Sequence, residues 1–309
     1  MNDNVIEFIT YKNALKGNYR KGVHTMRCIL ENPAQAADFA ASVGAVSVVF
    51  GVPVDKPDRN SDELLELVLN SFVCDKATLT FLSQFYPENA ESYDTMMNSA
   101  ERCAEIFATP ILWRPVGRSN CLTAKLIVTL AGLNCVEYGD LAAVVSSSVA
   151  MEAMAASQTA MTAVAASSTA MAAVAASSTA MTAVASSATA VSAMAASSAA
   201  KSALQASPLK KEYSWGGNNW TANTLTAVSG SGLLLKIQIT NNVGGWSLPT
   251  KTSHKVLLDG AAFMATNGYS TSDIYQKSTS AVIDESVRRY KSSINVYLYN
   301  ATKITYIPC

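Results

Sequence analysis

The sequence predicts an elongated protein of three parts: a mixed, mostly helical N-terminal domain, a long α-helical shaft of the coiled-coil type, and a β-rich, sandwich-like C-terminal tip. Three observations support this fold class. A strict ten-residue repeat occupies the middle of the chain, apolar residues with helical spacing precede it, and β-branched and aromatic residues follow it. We therefore expect an N-terminal α/β domain at residues 1–140, the shaft at 141–208 and the tip at 209–309.

The N-terminal part predicts helices separated by one strand-like segment. Residues 32–33, an Asn-Pro pair, are typical of a helix start, and residues 60–63 resemble a capping box. Residues 89–108 and 119–133 have helical spacing, whereas residues 111–117 between them look like a strand. We therefore expect this part to be the compact, mixed domain of the protein.

The shaft is predicted from a ten-residue sequence repeat that starts at residue 141 and occurs in seven consecutive copies. The third position is Ala and the seventh is Ser in every copy, and the first and fourth positions carry Met, Val or Leu in the first six. On a helix, the first and fourth positions share one face. We predict that this face is the seam of an oligomer, formed by Val144, Met151, Met154, Met161, Val164, Met171, Val174, Met181, Val184, Val191 and Met194.

The repeat period favours a supercoiled helix over its alternatives. Ten residues over three turns is about 3.33 residues per turn, fewer than the 3.5 of a heptad, so the seam winds left-handed around the helix. No Gly or Pro occurs between residues 141 and 207. Because an uncharged helix of Ala, Ser and Thr does not persist alone, we expect partner chains to cover the seam. A β-shaft with one repeat per step and a disordered low-complexity linker are the alternatives.

The tip is predicted from its strands. Residues 233–240 and 294–300 are rich in β-forming side chains, and the second run leads into residues 303–307 as a hairpin. One short helix is expected at residues 281–290.

Aromatic and amide side chains of the tip suggest a ligand-binding surface. Aromatic rings stack on the C–H faces of sugars, and amides bond to sugar hydroxyl groups. The candidate residues are Trp215, Asn218, Asn219, Trp220 and Trp246. The alternative is that these tryptophans form a structural collar where the shaft meets the tip.

The charge is balanced overall but not along the chain. Lysine plus arginine and aspartate plus glutamate each number 23, yet residues 1–140 hold 12 basic and 17 acidic residues, and residues 201–309 hold 11 and 5. A balanced total argues against nucleic acid as a partner. The basic C-terminal part would suit an acidic polysaccharide or lipopolysaccharide.

Targeting and metal-binding signals are weak. The start MNDNVIEFIT has no basic segment before an apolar core, so we expect no export signal, and the uncharged segment 153–200 is too rich in Ser and Thr for a membrane span. The six cysteines form no CxxC pair and only two histidines occur. We therefore expect free thiols, no metal site and no cofactor.

The array MTAVAASSTAMAAVAASSTAMTAVA resembles the Ala/Ser/Thr/Met/Val shaft repeats of bacteriophage virion fibre and tail-fibre proteins. The resemblance covers about 70 of the 309 residues and does not extend to residues 1–140 or 210–309. It implies a homotrimer in the virion, made in the host cytoplasm, that docks on other virion proteins through residues 1–140. It also implies a C-terminal tip that binds a host receptor or cell-surface glycan. Attachment to the tail and attachment to the capsid both remain open.

The sequence shows no catalytic motif. The two histidines, His24 and His254, lie in different parts of the chain, and no phosphate-binding loop occurs. We therefore expect a protein that is not an enzyme. A bacterial surface adhesin of similar layout and a tail-spike polysaccharide depolymerase, which would need paired carboxylates, are the alternatives.

Overall fold

The computed structural model describes residues 19–52, 59–216, 224–240, 254–266, 282–297 and 301–309. Within these ranges the protein is of the mixed α/β class, with sixteen α-helices before residue 206 and nine strands after residue 210. The chain divides into two compact units, residues 1–170 and 171–309. The boundary between them falls inside the repeat array.

The helices ahead of the array are short. They are α1 (Tyr19–Glu31), α2 (Pro33–Ala41), α3 (Val43–Phe50), α4 (Arg59–Leu69), α5 (Cys74–Leu82), α6 (Tyr93–Met97), α7 (Ala100–Ala108), α8 (Pro110–Val116) and α9 (Asn120–Leu130). The array continues as separate helices of similar length. These are α10 (Leu141–Ser146), α11 (Ser148–Ala156), α12 (Gln158–Ala166), α13 (Ser168–Ala176), α14 (Ser178–Ser186), α15 (Ala188–Ala196) and α16 (Ser198–Gln205).

Each full repeat is one nine-residue helix that ends and restarts at the invariant serine. Ser157 has φ −92° and ψ 115°, an extended conformation that interrupts the helix. Its hydroxyl accepts a hydrogen bond from the backbone N–H of Ala160 at 3.2 Å, which caps the next helix. Ser187 has the same geometry, and there α14 and α15 meet at 103°. One extended residue therefore turns the chain sharply at every step.

The predicted continuous coiled-coil shaft is therefore wrong. The seventh position is an N-cap that stops one helix and starts the next. Because the helix restarts every ten residues, its apolar face does not drift around a long axis. The period measures the length of one capped helix rather than the pitch of a supercoil.

The eleven residues of the predicted seam are buried without a second chain. All have relative exposures between 0% and 8%: Val144, Met151, Met154, Met161, Val164, Met171, Val174, Met181, Val184, Val191 and Met194. Their own chain already keeps water from these methionines and valines. The physical reason for expecting partner helices at this face is thereby removed.

Some capping serines bind a second backbone group. The Ser157 hydroxyl donates to the carbonyl of Leu130 at 3.2 Å, and that of Ser167 donates to the carbonyl of Gly117 at 2.6 Å. In the second unit, Ser207 follows the last helix of the array and caps none, but its hydroxyl donates in the same way to the carbonyl of Ala175. These bonds connect one helical step to another, so the serine has a tertiary as well as a local role.

Helix–cap–helix steps also occur ahead of the array, where no sequence repeat is evident. Asn32 and Ser42, ten residues apart, cap α2 and α3, which meet at 84°. Ser99 caps α7, Thr109 precedes α8, and Ser119 caps α9, again at intervals of ten. The predicted helix start at the Asn-Pro pair is confirmed. The first unit thus uses the same ten-residue step with diverged residues.

Two local predictions for the first unit are wrong. Helix α4 begins at Arg59, so Asn60 lies inside the helix rather than at its cap. Residues 111–117 were expected as a strand, but α8 covers nearly all of this segment. Pro110 at the first helical position sets the backbone for a helix, which overrides the β preference of the residues that follow.

Lys125 of α9 fixes the segment that leads into the array. Its ammonium group donates to the carbonyls of Cys135 at 3.0 Å and Tyr138 at 3.2 Å, and it forms an ion pair with Asp94. The side chain is almost fully buried. A buried ammonium needs such partners because its desolvation is costly.

The C-terminal strands form two antiparallel sheets. The strands are β1 (Lys211–Trp215), β2 (Thr224–Ser229), β3 (Gly232–Thr240), β4 (His254–Leu258), β5 (Ala261–Thr266), β6 (Val282–Asp284), β7 (Arg288–Tyr290), β8 (Ser293–Tyr297) and β9 (Ala301–Pro308). One sheet has the order β1-β9-β3-β6, with β7 also paired to β3, and the other has the order β2-β8-β4-β5.

The two sheets share one apolar core. Leu234 and Ile304 from the first sheet meet Val256 and Val296 from the second in a single cluster of buried side chains. Consecutive strands β8 and β9 belong to different sheets, so the expected hairpin between them is wrong. The expected helix at 281–290 is also wrong, because β6 and β7 occupy this segment and pair with β3.

Candidate functional site

The second unit has a surface pocket of about 310 Å³ between helix α14 and the first sheet. Thr182 and Ser186 of α14 form one side, and Ser231, Arg289 and Lys291 contribute to the other. The volume lies at the lower end of the range for small-ligand sites. This pocket therefore combines hydroxyl groups with two cationic side chains.

Arg289 is held in place by the end of a repeat helix. Its Nη1 donates to the carbonyl of Ser186, the last residue of α14, at 3.1 Å. A guanidinium group favours the negative end of a helix dipole. It carries five N–H donors, and this contact uses one of them. The contact orients the side chain while leaving most of its donor capacity for other acceptors.

Lys291 is positioned by a turn that Asp259 organises. The Asp259 carboxylate accepts hydrogen bonds from the backbone N–H groups of Lys291 at 2.8 Å, Ser292 at 2.7 Å and Ser293 at 3.2 Å. Burial acts to raise the pKa of Asp259, but these hydrogen bonds outweigh it and lower that pKa below its ordinary value. The carboxylate is therefore ionised at neutral pH and keeps the turn closed.

The positive charge at the pocket is not neutralised by the acidic side chains that the structure describes in this unit. Glu285 pairs with Lys236 at 2.7 Å, and Glu212 pairs with Lys303 at 2.8 Å. Asp259 is occupied by backbone N–H groups. Among the described residues, no ion pair involves Arg289 or Lys291. The described acidic side chains of this unit therefore leave Arg289 and Lys291 without an ion-pair partner.

Tyr290 belongs both to the pocket wall and to the core between the sheets. Its ring meets Tyr306 edge to face, with 6.4 Å between the ring centroids. The hydroxyl is buried and has no hydrogen-bond partner within the described part of the chain. Burial raises the pKa of this phenol above its ordinary value, so the group remains a protonated donor at neutral pH.

Gly232 makes room for the Tyr290 hydroxyl. A Cβ at position 232 would lie 2.2 Å from the carbonyl oxygen of Ile307 and 2.7 Å from the Tyr290 hydroxyl. Both distances are too short for any side chain. The glycine is therefore required by close packing at the base of the pocket.

Three of the thiols are poor candidates for nucleophilic chemistry. Burial raises the pKa of Cys309, beside the pocket, to about 11, and it raises those of Cys74 and Cys103 to about 12. A thiol with such a pKa is protonated at neutral pH and is a weak nucleophile.

His24 lies one helical turn from Cys28, with 3.8 Å between Nε2 and Sγ, on an exposed face of α1. Within the described ranges, no three His, Cys, Asp or Glu side chains form a metal-binding group.

Of the five residues predicted to bind sugar, the structure describes one. Trp215 is the last residue of the edge strand β1, opposite Thr302, and is half-buried. The other four lie outside the described residues: Asn218, Asn219, Trp220 and Trp246. The aromatic surface therefore stays a prediction. The basic run at 288–291, in a part of the chain rich in β-forming residues, was the signal in the sequence that could have indicated the pocket.

No protein-family model matches this sequence, and no curated protein is significantly similar to it. Among the described helices, none is by itself long and apolar enough to cross a membrane. Three bent helix pairs, two of them in the repeat array, satisfy the length and composition requirement together.

Proposed function

We propose that this chain is a structural protein of a bacteriophage virion, attached to the particle through residues 1–140 and binding a host cell-surface glycan through its C-terminal β-sheets. The observation that carries this proposal is the repeat array. Its repeats resemble those of phage fibre proteins, and each is a capped helix of constant length.

The C-terminal unit supports the binding role. Its pocket combines two cationic side chains with hydroxyl groups, which are groups that bind the polar substituents of sugars. Trp215 pairs with Thr302 at the other end of β9, so its ring would be a separate contact. The proposal assigns no catalytic step to this pocket.

The structure changes how the array would work in such a particle. Because the methionines and valines are covered within one chain, the array needs no intertwined partner to keep water from them. A homotrimer is now supported by the resemblance alone and would require a different contact surface. Light scattering of the purified full-length chain measures its mass and tests this part separately.

The proposal is tested by location. An antibody raised against the full-length chain is applied to phage particles purified on a density gradient from a culture that carries the gene. We expect the chain to co-sediment with the particles and immunogold labelling to place it on their surface. Recovery of the chain only in fractions without particles would refute a virion role, and its recovery on the cell envelope would favour the surface adhesin instead.

A further inference from the structure

We propose that the pocket formed by Arg289, Lys291 and Tyr290 binds the acidic group of a saccharide, a carboxylate, phosphate or sulfate. The identification of the ligand as a saccharide rests on the proposed function. The recognition of an anion rests on the pocket itself, so the two parts can fail separately.

Uncompensated charge is the first argument for an anion. Arg289 and Lys291 are two residues apart and both line the pocket. The described glutamates of this unit, Glu285 and Glu212, pair with Lys236 and Lys303 and not with these two cations. The positive charges of Arg289 and Lys291 repel each other at this concave surface, and an anion bound between them would offset the repulsion. An arginine fork and a lysine are also the donors that carboxylates and phosphates prefer.

Preorganisation is the second argument. Arg289 is oriented by its hydrogen bond to the carbonyl of Ser186, and the turn that carries Lys291 is closed by Asp259. A site whose donors are already positioned loses less conformational entropy on binding than a site on a free loop. Both cations are therefore held beside the pocket before a ligand arrives.

The neutral groups of the pocket suit the rest of a sugar. The hydroxyl of Ser231 donates to the carbonyl of Cys309 at 2.6 Å, and that of Thr182 donates to the carbonyl of Ser178 at 2.9 Å. With their protons engaged in this way, both oxygens present lone pairs that accept hydrogen bonds from sugar hydroxyls. The Tyr290 hydroxyl is buried in the pocket wall and has no hydrogen-bond partner among the described residues. The pocket thus offers cations and hydrogen-bond acceptors within one small volume.

The experiment compares three probes on the full-length chain by isothermal titration calorimetry at low ionic strength. Glucuronic acid and glucose differ at the charged group, and inorganic phosphate supplies the anion without a sugar. We expect glucuronic acid and phosphate to bind and glucose to bind about tenfold more weakly or not at all. Raising the salt concentration should weaken the binding of both anions.

Two variants and one control localise the binding. Lys291→Gln, at an exposed position, should weaken glucuronic acid binding about tenfold, and Arg289→Gln should do the same. The control is Lys211→Gln on the edge strand β1, which removes the same charge outside the pocket. Thermal unfolding of each variant shows whether it is folded, and Lys291→Gln keeps the test valid if Arg289→Gln is not.

The outcomes separate the two parts of the inference. Equal binding of glucose and glucuronic acid, or equal losses in Lys211→Gln and Lys291→Gln, would overturn the anion site. Binding of phosphate without glucuronic acid would overturn the saccharide as ligand. If glucuronic acid binds at this pocket but the chain is absent from particles, the proposed virion role fails and the acidic-saccharide site stands.

Discussion

Replacing Ser167 by alanine should destabilise the first unit more than any ordinary loss of a helix cap. The Ser167 side chain is 1% exposed, accepts a hydrogen bond from the N–H of Ala170 at 3.0 Å, and donates one to the carbonyl of Gly117 at 2.6 Å. Loss of a serine cap costs about 1 kcal/mol. Leaving a buried carbonyl without its partner adds about 1–3 kcal/mol. Ser167→Ala should therefore lower the free energy of unfolding by about 2–4 kcal/mol.

Ser147 provides the matched control. It occupies the same position of an earlier repeat, is half-buried, and its hydroxyl caps the next helix by accepting from the N–H of Ala150 at 3.2 Å. Ser147→Ala removes a cap of the same kind without breaking a bond to Gly117, so it should cost about 1 kcal/mol. Urea unfolding followed by circular dichroism at 222 nm measures both variants. Both variants replace serine by alanine, so the change in helix propensity is the same in each and cancels when their free energies of unfolding are compared.

The difference between the two variants decides the matter. A gap of about 1–3 kcal/mol supports the cross-step bond from Ser167 to Gly117 as a stabilising contact. Equal free energies of unfolding would show that this bond adds nothing beyond the cap. If neither variant were destabilised, the interpretation of the seventh position as the residue that sets the ten-residue step would be refuted.

Three further predictions concern other parts of the chain. Lys125→Met should lower the free energy of unfolding by about 2–4 kcal/mol, because the carbonyls of Cys135 and Tyr138 lose their buried donor. A loss under about 1 kcal/mol in urea unfolding would contradict this. Gly232→Ala should lower the melting temperature in differential scanning calorimetry, because its Cβ collides with the Ile307 carbonyl, and an unchanged temperature would count against that packing. The contribution of Asp259 to stability should be complete above its ordinary pKa of 3.8 and lost as the pH falls through its lower folded-state pKa. Melting temperatures of Asp259→Asn and the original chain, compared at pH 7 and pH 3, should show a smaller acid effect in the variant, and equal effects would be contrary evidence.

Local signals in the sequence were reliable where a few neighbouring residues decide the structure. The Asn-Pro pair at 32–33 starts a helix, and the Leu-Ile-rich run at 233–240 lies within β3, because capping and strand preference act over a few residues. The same kind of signal failed at 281–290, where pairing with β3 stabilises two short strands over the expected helix. Strand pairing is non-local, so helical spacing within ten residues could not reveal it.

The pocket was beyond the reach of sequence analysis for the same reason. Arg289 and Lys291 are visible as a basic run, but the carbonyl that orients Arg289 belongs to Ser186, 103 residues earlier in the chain. Glu285 and Glu212 do not pair with Arg289 or Lys291, because they form ion pairs with Lys236 and Lys303. These partners lie far from the glutamates in the sequence. Only the folded chain brings these groups to one surface.

By itself, the sequence predicted that the middle of the chain is helical and that its structure repeats every ten residues, because period and helix propensity are properties of neighbouring residues. The same pattern predicted one long helix, whereas the structure has a series of short ones. A serine such as Ser157 costs an uninterrupted helix little and gains about 1 kcal/mol as a cap, so the local balance is nearly even. Tertiary packing decided it, because short helices that turn at each serine can bury their methionines and valines against their own chain, whereas one long helix would leave them facing water.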